Sequence, residues 1–115
     1  MFVLMSSCYQ AERNCEAFKT GTFEFTTYLE GEMQTTVFKR TDSLSIETFK
    51  GKSDTASIRW INPCEFILTD LTPKNSAEEK PLHFKILTTS NSQYTFEYAL
   101  VGATNKQRGT ATKVK

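Results

Sequence analysis

One histidine in 115 residues leaves little room for catalysis or metal binding. His83 stands in no nucleophile context, and it supplies no zinc-type ligand spacing with the thiols. The chain has no Gly-x-Ser-x-Gly elbow and no His-Glu-x-x-His pair. Its five glycines are scattered at turns, so no loop cradles a phosphate. Charge of one sign is lacking too. Lys and Arg number 14 against 13 Asp and Glu, they interleave, and the net charge is +1. That excludes the basic stripe on which nucleic-acid binding depends. The mildly basic end KQRGTATKVK reads as a solvated last strand. Nothing approaches the ~20 apolar residues of a membrane-spanning helix. The carboxylates Asp54, Asp70, Glu78 and Glu79 fall at turns or on polar faces and read as solvated. The expectation is a protein that is not an enzyme and needs no metal or cofactor.

What the chain does have is phenylalanine, nine residues of it, with frequent threonine. That mix favours strands, and 115 residues suit one domain with one modest core. From Gly21 onward polar and apolar residues alternate in short runs between turn residues. Strands are expected near 22–26, 33–40, 43–49, 55–61, 65–71, 82–89, 93–101 and 107–114. The one long connection, 72–81, has room for a helical turn around Ala77-Glu78-Glu79.

Eight strands at this spacing predict an all-β fold, an eight-stranded antiparallel meander closed into a barrel, which removes exposed edges. The face read as inward carries Phe23 and Phe25, then Val37, Leu44 and Ile46, then Ile58, Trp60, Phe66, Leu68, Phe84 and Ile86. The opposite face carries Glu24, Thr26, Glu47, Arg59, Lys85 and Glu97. His83 falls on the outward face beside Phe84. Trp60, Tyr94, Phe96 and Tyr98 either fill the barrel or line an apolar ligand cavity in it.

Three cysteines remain to be explained. Met5-Ser6-Ser7-Cys8 resembles the end of a bacterial lipoprotein signal, in which small residues precede a lipidated cysteine. The apolar run 2–5 is shorter than the ~7–15 residues of such a signal. The expectation is therefore a signal stub at 1–7, lipidation at Cys8, a polar tether over 8–16 and a barrel domain over 17–115. Lipid would anchor the chain without spanning the bilayer. With Cys8 modified, Cys15 and Cys64 form an even pair, and an oxidising compartment favours a disulfide between them.

The stretches CEAFKTGTFEF, SIRWINPCEFIL, HFKILTTSNSQYTFEYALVG and KQRGTATK resemble a group of small outer-membrane lipoproteins of Gram-negative bacteria. Some of that group bear the label DNA topoisomerase IV, whose ATPase, metal-binding and DNA-gate parts a chain of this size has no room to hold. The architecture also resembles the lipocalin or calycin barrel, in which Gly-x-Trp opens the first strand and an arginine of the last strand packs over that Trp. Here Gly21-Thr22-Phe23 puts Phe in that place, and Arg108 is the arginine of the last strand. The resemblance implies an envelope protein of the outer membrane, on the periplasmic face in the absence of an acidic run after Cys8. Expected roles are a protein-interaction subunit at the outer membrane, a carrier of a small apolar ligand, or an inhibitor of envelope proteases. Expected partners are a membrane reached through lipid, an outer-membrane protein and a small apolar ligand, with no nucleic acid.

Overall fold

The computed structural model describes residues 13–29, 31–76 and 79–115. The stub at 1–7, Cys8 and the tether up to residue 12 lie outside the described residues. So do Ala77 and Glu78, on which a helical turn was expected. A 3-10 helix, Cys15–Phe18, is followed by eight strands: β1 Gly21–Leu29, β2 Glu32–Arg40, β3 Leu44–Phe49, β4 Lys52–Asn62, β5 Glu65–Asp70, β6 Leu82–Thr89, β7 Gln93–Leu100 and β8 Gln107–Lys113. Each pairs antiparallel with the next, and β8 returns to β1, so the sheet is a closed barrel with a lipocalin-like meander topology.

Local chemistry sets these boundaries. Lys50 and Gly51 both have positive φ, 52° and 79°, and Phe49 pairs with Lys52 across them. That is a two-residue hairpin turn, whose twist matches that of the strands it joins. Asn62 Oδ1 accepts the N–H of Cys64 at 2.8 Å and so closes the turn around Pro63 between β4 and β5.

The register decides which side chains share the interior. Trp60 pairs with Phe66, Phe66 with Phe84, and Phe84 with Tyr98, so one aromatic rung crosses four strands. Phe66 and Phe84 stack at 5.0 Å, Phe84 and Tyr98 at 5.1 Å. One residue further along, Glu65, Lys85, Glu97 and Arg108 are neighbours across β5 to β8 on the outer face. That rung alternates in charge and suits water, unlike the apolar band of a membrane barrel.

On β2 and β3 the faces are the reverse of those expected from the alternation. Val37, Leu44 and Ile46 are exposed, and Thr36, Phe38, Arg40, Ser45 and Glu47 take the inner face. The cause is the pairing with β1. Phe23 stands opposite Phe38, and their rings stack at 5.5 Å, which turns Phe38 and every second residue of β2 inward.

The core lies at one end of the barrel, where β1 begins and β2 ends. Cys15, Phe18, Phe23, Ile86, Tyr94, Phe96 and Ala111 are buried there. The 3-10 helix plugs this end, and four elements hold it. Cys15 is bonded to Cys64. Asn14 N–H donates to Thr89 Oγ1 at 2.7 Å, and Arg13 donates to the carbonyl of Ile86. Lys113 donates to the carbonyl of Ala17 at 2.8 Å. Arg40 donates to the carbonyls of Phe18 and Lys19. The packed structure thus includes Arg13 and Asn14.

Candidate functional site

The opposite end of the barrel is open. Behind it lies a chamber of about 200 Å³, walled by Phe25, Phe38, Phe66, Phe84, Phe96 and Tyr98 together with Leu68 and Leu82. Tyr94 and Arg40 close it toward the core, and Thr36, Ser45 and Glu47 complete its β2–β3 side. Space remains because this side carries Thr36 and Ser45 where the opposite strands carry rings. An outer vestibule of about 350 Å³ shares Glu47, Leu68 and Leu82 with the chamber. Its other walls include Asp54, Asp70, Lys80 and Leu100. The chamber has the mainly apolar lining of a ligand site, whereas charged groups line much of the vestibule.

Arg40 holds the floor. Its Nη1 donates to Tyr94 Oη at 2.8 Å and its Nε to the carbonyl of Lys19 at 3.3 Å, while Nη2 donates to the carbonyl of Phe18. The guanidinium lies 4.2 Å from the centre of the Phe23 ring. A buried arginine needs acceptors for its donors, and three of its five N–H groups find one here. Burial pushes the Tyr94 phenol up, and the neighbouring Arg40 charge opposes that shift. The arginine expected over the first-strand aromatic was Arg108. It lies instead on the outer face, 75% exposed and 4.0 Å from Glu97. Arg40, from the second strand, covers Phe23 in its place.

At the mouth, Glu47 opens to the vestibule and is flanked by protein on its chamber side. Partial burial pushes its carboxyl up, and the nearby Asp54 and Asp70 add to the shift. Asp54 and Asp70, read from the sequence as solvated turn carboxylates, line this vestibule. His83 is on the outer face as expected, with Nε2 2.8 Å from Glu65 Oε1. The Glu65 carboxyl is lowered, first by the hydrogen bond from Asn62 and then by His83. Among the described residues, no group of three or more His, Cys, Asp or Glu side chains is placed to hold a metal ion.

The four aromatics singled out in the sequence therefore divide. Phe96 and Tyr98 are chamber walls, and Tyr94 belongs to the floor with its hydroxyl taken by Arg40. Trp60 packs 4.7 Å from Phe66 but lies outside the chamber lining. Its Nε1 is buried without a hydrogen-bond partner among the described residues. Phe25, Phe66 and Phe84 were expected inward but not singled out as lining. Phe38, Arg40, Ser45 and Glu47 were missed. The signal for them was Phe38, a larger apolar residue than Val37 beside it. Comparison with known proteins finds no matching family model, no matching curated protein and no matching solved structure.

Proposed function

We propose that this chain is a non-enzymatic binding protein of the cell envelope that holds a small ligand with an apolar body inside its barrel. The aromatic-walled chamber, which shares Glu47, Leu68 and Leu82 with an outer vestibule, carries this reading. The same reading has lipid on Cys8 anchoring the chain at the outer membrane. The Cys15–Cys64 disulfide supports the location, because such bonds persist in oxidising compartments such as the periplasm. Likeness to the small outer-membrane lipoproteins of Gram-negative bacteria supports it as well.

A second reading, a subunit that docks on an outer-membrane protein, is favoured by one observation. Val37, Leu44 and Ile46 lie on the outer face of β2 and β3, Ile46 opposite Lys39 and diagonal to Val37, each more than a third exposed. Native mass spectrometry of protein purified from its own envelope tests both. The ligand reading expects a small-molecule mass that is lost on denaturation, whereas covalent lipid would stay. A ligand-free chain that carries a stoichiometric membrane protein would overturn the ligand reading in favour of the second.

A further inference from the structure

We infer that the ligand carries a cationic head on its apolar body, an aryl-alkyl amine being the simplest case. This rests on the ligand reading above and adds the charge of the ligand. The two ends of the cavity differ in kind. At the floor the one cation, Arg40, is held by Phe18, Lys19, Tyr94 and the Phe23 ring. At the mouth three carboxylates face inward on adjacent strands. Glu47 stands directly opposite Asp54 across β3 and β4. Asp70, on β5, stands opposite Ala56, two residues along β4 from Asp54.

Like charges directly opposite on antiparallel strands are unfavourable. Glu47 has no hydrogen-bond or ion-pair partner among the described residues. Among the described residues the Asp70 carboxylate accepts one hydrogen bond, from the N–H of Thr72 at 2.9 Å. The nearby ammonium groups leave the excess in place. Lys74 pairs with Asp54 at 3.6 Å, with both side chains largely in water, and Lys80 lines the vestibule. Among the described residues that line the vestibule, three are thus carboxylates and one, Lys80, is a cation.

An ammonium group between Glu47 and Asp70 relieves that opposition with charge-assisted hydrogen bonds. The body behind it then enters the chamber, where Phe25, Phe84, Phe96 and Tyr98 surround it. These ring faces favour a nearby cation as well.

Isothermal titration calorimetry near neutral pH with phenylbutylamine, phenylbutanol and phenylbutyrate tests the inference. The three probes share a body and differ in head charge. The amine should bind about tenfold or more tighter than the alcohol, the weight of one charge-assisted hydrogen bond, and the butyrate weakest. Glu47→Gln combined with Asp70→Asn should bring the amine down to the affinity of the alcohol. A Tm no lower than that of the wild type shows that the barrel of the variant is intact, and an amine that still binds it tighter than the alcohol would overturn the inference. Equal binding of amine and alcohol to the wild type, or tightest binding of the butyrate, would overturn the inference and leave the ligand reading standing. Binding of none of the three would count against both.

Discussion

Arg40 takes a place that its own type does not suggest. A charged side chain at the end of an alternating strand reads as surface, because arginine usually keeps its head in water. The register with β1 turns it inward instead, onto Phe23 and against the 3-10 helix. Nothing in the alternation of β2 alone chooses between the Val37 face and the Phe38 face. The choice is made by the Phe23–Phe38 pair, a contact between two strands. Tyr94→Phe tests the role of the arginine at this scale. The change keeps the ring and removes the acceptor of Arg40 Nη1. Stability should fall by about 1–3 kcal/mol, the cost of a buried donor left without its partner. Urea unfolding should show a lower midpoint with an unchanged slope. An unchanged midpoint would mean that the contact contributes nothing.

At the scale of elements, the strands and turns were legible because hairpins are local. Turn residues such as Gly51 and Asn62-Pro63 announce themselves in sequence, whereas Asp54, read at a turn, lies within β4. The inner face of β4 to β7 was legible too, because large apolar residues recur there at every second position. The β2–β3 pair was not. Its outward Val37, Leu44 and Ile46 carry the hydrophobicity that an alternation argument assigns to a core. Gly109 marks another place where neighbours decide. It pairs with Phe96 on β7, and a Cβ there would overlap the rings of Phe25 and Phe96. The glycine lets both rings lie against the β8 backbone. Gly109→Ala should therefore destabilise the barrel by about 1–3 kcal/mol through overpacking. Thermal unfolding followed by circular dichroism would register it as a lower Tm. An equal or higher Tm would show that the rings have room to move.

For the whole molecule, the contrast between the two ends organises everything else. The closed end holds the core, the disulfide and the buried arginine. The bond between Cys15 and Cys64, 49 residues apart, contributes about 4 kcal/mol by the chain-entropy account, useful to a domain this small. The open end holds the chamber and its acidic mouth. Eight strands closing into a barrel could be read from the sequence. A hollow barrel could not, since it depends on Thr36 and Ser45 facing in while Val37 and Leu44 face out. Ser45 is therefore the residue through which to test whether the chamber takes a ligand. Ser45→Phe places a ring on the side of the chamber lined by small residues, beside Arg40 at the floor. The measurement is calorimetric titration of phenylbutanol, a neutral probe, into wild type and Ser45→Phe, with Tm recorded for each. The account predicts saturable one-to-one binding to the wild type and its loss in a variant whose Tm is unchanged or higher. Absence of saturable binding to the wild type, or equal binding to a fully folded Ser45→Phe, would contradict it.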